Sequence, residues 1–129
     1  LPLITLPPVI FVPGHKLASA WRQGAAGSYS NVACLQPAGA KRWNQLMTTR
    51  LDEALEFESR LGRFMAEYIL PFRDQGRYSN AALDKLLAAV GGWSDVGTRL
   101  RWPYGWIEES EVEQLRPVAR AMLPELFGR

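Results

Sequence analysis

Five of the nine prolines in this chain of 129 residues fall within its first 37 positions. Proline fixes φ, lacks a backbone N–H and clashes with the carbonyl four residues back, so neither a long helix nor an interior strand forms where prolines are this dense. Charge divides the chain at nearly the same place. The first acidic residue is Asp52, and before it stand Lys16, Arg22, Lys41, Arg42 and Arg50, giving residues 1–51 a charge of +5. Residues 52–129 carry ten basic and thirteen acidic side chains, or −3, a split that the net charge of +2 conceals. The two asymmetries together predict a mostly α fold: a three- to four-helix domain over residues 39–129, preceded over residues 1–38 by an extended, proline-rich basic arm with one or two short strands.

A chain of this length makes one core and buries roughly two thirds of the surface that its unfolded form exposes. A hydrophobic fraction of 47% with 22% charged residues is that of an ordinary globular protein and excludes disorder of the whole chain. No stretch approaches the roughly 18 uninterrupted apolar residues of a membrane span, and the run Val9 to Val12 is too short for a signal-peptide core. The expected setting is the cytoplasm or another reducing compartment. Cys34 is the only cysteine and His15 the only histidine, which excludes an internal disulfide, a multi-cysteine zinc or iron–sulfur site and a His–His metal pair. No glycine-rich phosphate loop of standard spacing occurs, so no cofactor is expected.

Along the arm, Leu3 to Leu6 and Val9 to Val12 read as short extended pieces between prolines. Gly14 to Pro37 reads as loop with one helical turn near Leu17 to Arg22. From Ala40, the residues Trp43, Met47, Leu51, Ala54, Leu55, Leu61, Met65, Tyr68 and Ile69 recur at three- and four-residue steps and predict one amphipathic helix to Leu70. It would be about 45 Å long, with Gly62 as a point of bending and Pro71 as its stop. A second helix is signalled by Ser79 or Asn80 as N-cap, by the stripe Leu83, Leu86, Leu87 and Val90, and by Gly91-Gly92 as terminator. Trp93 to Ile107 is an aromatic-rich connection with room for a short helix over Asp95 to Leu100. The last helix starts near Ser110, with Glu108, Glu109, Glu111 and Glu113 at the positive end of its dipole. Its stripe is Val112, Leu115, Val118, Ala119, Met122, Leu123 and Leu126. Pro117 either kinks it or splits it into two, and Gly128 ends it.

Several constellations bear on chemistry. The run PVIFVPG at residues 8–14 resembles the first strand of the α/β-hydrolases, but that fold needs a G-x-S-x-G elbow and a late histidine. The nearest approach here, Gly92 to Gly97 around Ser94, has the wrong spacing, and the histidine is at position 15, so the run is read as a short strand. Cys34 and His15 are the residue types of a thiol nucleophile and its base, yet Cys34 among Val32, Ala33 and Leu35 fits a small buried hydrophobe better. His15, beside Gly14 and Lys16, reads as a solvated loop residue. Asp52, Glu56 and Ser59 share one helical face, as do Glu53 and Arg60. A solvated face with i to i+4 ion pairs such as Glu56–Arg60 accounts for them, and no catalytic residue is assigned.

The segment 83–102 invites comparison with a degenerate helix-turn-helix, in which a second helix would present Ser94, Thr98, Arg99 and Arg101 to a nucleic acid. With these, Lys16, Arg22, Lys41 and Arg42 interleave with Trp21, Tyr29 and Trp43, residue types that combine phosphate contact with base stacking. The four rings Trp93, Trp102, Tyr104 and Trp106 either close into a satellite core, the reading favoured here, or form an exposed patch framed by Arg99 and Arg101. The function expected from these features is a non-catalytic interaction or assembly module. Its contacts to a protein partner or a second copy would run through Ile4, Val9 and Phe11 of the arm and Trp93, Arg99, Arg101, Trp102, Tyr104 and Trp106 of the aromatic segment. The alternatives are a nucleic-acid-binding regulator and a small carboxylate-dependent enzyme.

Overall fold

The computed structural model describes residues 11–128, which are mostly helical with one two-stranded parallel sheet. Strand β1 (Phe11–Pro13) pairs with β2 (Gly27–Tyr29) in the register Phe11 to Gly27, Val12 to Ser28 and Pro13 to Tyr29. The expected piece Leu3 to Leu6, together with Ile4 and Val9, lies outside the described residues. Between the strands run a 3-10 turn (Gly14–Lys16) and helix α1 (Leu17–Trp21), and β2 leads into α2 (Asn31–Leu35). The stretch from Gly14 to Pro37 thus holds more structure than the single turn expected there. Ser30 caps α2 by accepting from the Ala33 N–H at 3.0 Å, a local signal that its isolated apolar residues obscure. Leu17, Ala18, Val32 and Leu35 are buried in the same apolar cluster as the helices that follow.

The single helix expected from Ala40 to Leu70 is divided. Helix α3 (Pro37–Thr49) ends at Arg50, whose φ of −142° and ψ of 67° break the ladder before α4 (Leu51–Phe64). Thr48 and Thr49 both turn their hydroxyls back onto the Gln45 carbonyl, at 2.9 and 3.2 Å, competing with the helix for its acceptor. The break lets α3 fold onto α4. The Trp43 indole N–H donates to the Ala54 carbonyl at 3.0 Å, and its ring meets Phe57 edge-on at 5.5 Å. The buried stripe of α4 is Ala54, Phe57, Leu61 and Phe64, so the two phenylalanines belong to the core as well.

Pro71 does not stop the chain. A π-helical turn (Met65–Ile69) precedes α5 (Leu70–Asp74), in whose first turn Pro71 sits. The wider turn removes the demand for the i to i−4 bond that proline cannot make.

Helix α6 (Asn80–Gly91) forms as expected: Ser79 accepts from the Ala82 N–H at 3.2 Å, and Gly92 closes the helix at φ 65°. A Cβ on Gly91 would overlap the Leu35 carbonyl oxygen, so glycine sets how closely α6 crosses α2. Helix α7 (Glu109–Met122) runs through Pro117 in one piece, and the interruption comes later, at Leu123, before α8 (Pro124–Phe127). The core gathers Leu86, Leu87 and Val90 of α6, which packs on α2 and α7, with Val112, Leu115 and Ala119 of α7 and Leu123 and Leu126 at the end.

Candidate functional site

No helix forms between Trp93 and Glu108, so the short helix expected over Asp95 to Leu100 is absent, and with it the second helix of the helix-turn-helix. Thr98 is buried at 1% exposure instead of facing outward. Its N–H donates to a Glu109 carboxylate oxygen at 3.1 Å, and its hydroxyl lies 3.4 Å from the same oxygen. A buried threonine that needs a polar partner draws the segment onto the start of α7 instead of coiling it. At its other anchors the segment is tied down by the Trp93 indole N–H, which donates to the Cys34 carbonyl at 2.7 Å, and by the buried Ile107.

Held at both ends, the segment turns its rings outward. Trp93 is 47%, Trp102 92%, Tyr104 54% and Trp106 39% exposed. The satellite core expected from these four does not form, because no helix of the described residues lies over them. Arg99 places its guanidinium 5.8 Å from the Trp106 ring centroid, and Arg101 is exposed beside Trp102. A second exposed aromatic pair lies on the sheet, where Phe11 and Tyr29 stand 5.7 Å apart.

The six residues of the nucleic-acid reading behave differently from one another. Lys16, Arg22, Lys41, Arg99 and Arg101 are exposed. Arg42 is not available: one of its guanidinium nitrogens donates to the carbonyls of Glu125, Leu126 and Gly128 at 3.2, 3.0 and 2.8 Å. Trp43, expected among the stacking residues, is buried in the core.

Carboxylates do meet an arginine in a cavity of about 140 Å³ lined by Trp43, Glu53, Glu56, Arg60 and Glu125. Arg60 grips Glu56 with two bonds of 2.9 Å and Glu125 with bonds of 2.9 and 2.5 Å, and donates to the Met122 carbonyl at 3.1 Å. These bonds hold both carboxyls below the usual carboxylate range and push the guanidinium further up. Two carboxylates pinned on one arginine and held below their usual range neither donate a proton near neutral pH nor stand free as a base. The cluster fastens α4 to α8, and Glu53 pairs with Arg50 at 3.4 Å.

The feature that sequence reading missed is around His15. A Cβ on Gly14 would come within 2.7 Å of the Ser30 Cα, so the turns leaving β1 and β2 touch. There the His15 N–H donates to Asn31 Oδ1 at 3.1 Å, which points Asn31 Nδ2 at His15 Nδ1, 2.9 Å away. That arrangement makes Nδ1 the acceptor and leaves the proton of the neutral ring on Nε2. Burial lowers the His15 pKa. The expected solvated loop residue is half-buried at one wall of a cleft of about 280 Å³, whose polar lining is His15, Tyr29, Asn31, Arg73, Asn80 and Asp84. Burial raises the Asp84 carboxyl. It raises the Cys34 thiol too, with Asp84 adding to the effect, and the His15 ring is engaged by Asn31, so Cys34 is not an activated nucleophile. A signal existed in the sequence: Pro13-Gly14-His15 and Ser30-Asn31 each follow a short strand, but the parallel pairing that unites them is not written locally.

No three or more His, Cys, Asp or Glu side chains among the described residues gather where they could hold a metal, and no described helix is long and apolar enough to cross a membrane. No family model, curated protein or solved structure matches the chain.

Proposed function

We propose that this chain is a non-catalytic assembly module that pairs with a second copy of itself through the segment Trp93–Trp106, with the apolar arm around Ile4, Val9 and Phe11 as a second contact. The observation that carries the reading is Trp102, which is 92% exposed on a segment anchored at both ends. An indole can bury about 150–250 Å², and several large rings exposed together within one short anchored segment are the kind of apolar patch that marks an interaction surface. Charge favours a second copy as its partner. Arg99 and Arg101 lie among the rings with Glu108 beside Arg99 and Glu111 and Glu113 following on α7, so both signs border the patch and two copies related by a two-fold axis can pair the arginines of one with the glutamates of the other.

The test is the light-scattering mass of the purified chain. The expected mass is near twice 14.5 kDa, falling to that of a single chain in Trp102→Ala/Trp106→Ala. Arg101→Glu and Glu111→Lys each weaken the dimer and restore it when combined. A chain that stays monomeric at every concentration overturns the reading. A mass that shifts only with DNA or RNA oligonucleotides at low salt would transfer Lys16, Arg22, Lys41, Arg99 and Arg101 to a nucleic-acid surface.

A further inference from the structure

Two parallel strands end at the same place. Pro13 closes β1 and Tyr29 closes β2, and the residues that follow them, His15 and Asn31, form one wall of the 280 Å³ cleft. In open α/β sheets the crevice outside the carboxyl ends of parallel strands is where ligands sit, because the turns leaving the strands converge there. Across from these turns, α5 contributes Arg73 and α6 contributes Asn80 and Asp84. The floor is apolar, made by Met65, Leu70, Leu83 and Leu87. Among the described residues the side chains of Asp84 and Asn80 make no hydrogen bond, and Asp84 has no ion pair. Arg73 is paired only with its neighbour Asp74, at 2.8 Å and half-exposed, a contact that costs little to exchange.

The cleft therefore presents an unpaired carboxylate, a displaceable guanidinium, an imidazole N–H and an amide above an apolar floor. A simple anion would satisfy Arg73 and His15 but oppose Asp84, and a simple cation would do the reverse. We infer that the cleft at the carboxyl ends of β1 and β2 binds a small zwitterion with an apolar side chain, the chemistry of a leucine-like α-amino acid. Its ammonium faces Asp84, with the Asn80 amide oxygen as a second acceptor. Its carboxylate faces Arg73 and His15 Nε2, and its side chain lies on the Met65–Leu87 floor. Asp84, Asn80 and Arg73 are open to solvent at the rim of this cleft and Met65, Leu70, Leu83 and Leu87 lie beneath them, so a ligand with both charges and an apolar side chain can meet all of them at once.

The inference stands apart from the dimer reading and is tested on the full chain with three probes: L-leucine, 4-methylpentanoate, which lacks the ammonium, and isoamylamine, which lacks the carboxylate. Saturation-transfer NMR is expected to show leucine bound and each truncated probe at least about tenfold weaker, as loss of a charged hydrogen bond predicts. Asp84→Asn should weaken leucine and isoamylamine and leave 4-methylpentanoate unchanged, while Arg73→Gln should weaken leucine and 4-methylpentanoate and leave isoamylamine unchanged. Asp84→Asn keeps the side-chain shape at an exposed position, so a lost signal is not a lost fold, and circular dichroism checks this. Absence of leucine saturation at tens of millimolar overturns the inference. So does equal binding of all three probes, or binding that neither variant alters.

Discussion

Trp43 and Trp102 are the same residue in opposite circumstances. Trp43 lies on α3 with its neighbours at helical spacing, is 4% exposed, gives its N–H to the Ala54 carbonyl and packs on Phe57. Trp102 sits in a segment without periodic structure and is 92% exposed. An aromatic ring is buried here when a repeating element aims it at another, not because it is large and apolar. Four rings close in sequence do not make a core if no helix covers them.

Three experiments break or sharpen that contrast, from the largest effect to the smallest. Trp43→Ala removes a filled volume and a buried donor's ring together, and is expected to lower the unfolding free energy by about 3–5 kcal/mol in urea, whereas Trp102→Ala, compared at a concentration where the chain is monomeric, changes it by less than about 0.5 kcal/mol. Comparable losses for the two would mean that Trp102 is covered within the monomer. Glu109→Gln weakens the acceptor that holds Thr98, with an expected loss of about 1 kcal/mol. The more telling readout is faster amide exchange across residues 94–106 than in the parent chain, while α4 keeps its protection. The third concerns Arg60. Glu56 and Glu125 have folded pKa values depressed by its bonds, so their stabilisation is present above the unfolded carboxyl range and is lost as pH falls through the folded values. The Tm difference between the parent chain and Arg60→Gln should therefore be small and constant near neutral pH and close in acid, as pH falls from the ordinary glutamate range through the depressed folded values. A gap that persists in acid would assign Arg60's contribution to its bond with the Met122 carbonyl instead.

What was legible in the sequence follows the same division. The apolar stripe and caps of α6, the stripe of α7 and the solvated ion pairs of α4 are local patterns, and the structure has each. Pro71 and Arg50 misled in opposite directions, because a π turn accommodates the proline and because two threonines, not a proline or glycine, end α3. The pairing of β1 with β2 joins residues sixteen apart and carries no local mark, so His15 read as solvated. Arg99, Arg101 and Trp102 were found by type alone, and their exposure depended on a helix that did not form.

Arg42 has a consequence for the order in which the molecule is built. Its guanidinium closes contacts with carbonyls 83, 84 and 86 residues away, and Gly39, one turn earlier, abuts the Leu126 backbone. During synthesis α3 therefore keeps a hydrated Arg42 and an open flank until residues 125–128 have left the ribosome. Closing so long a loop costs more chain entropy than any neighbouring contact within α3 and α4, which places it late. Pulse-labelled exchange in which the amides of residues 126–128 gained protection before those of α4 would contradict that order. Residues 125–128 act as a latch on α3, and removing them would free Arg42 and open the flank of α3 at Gly39.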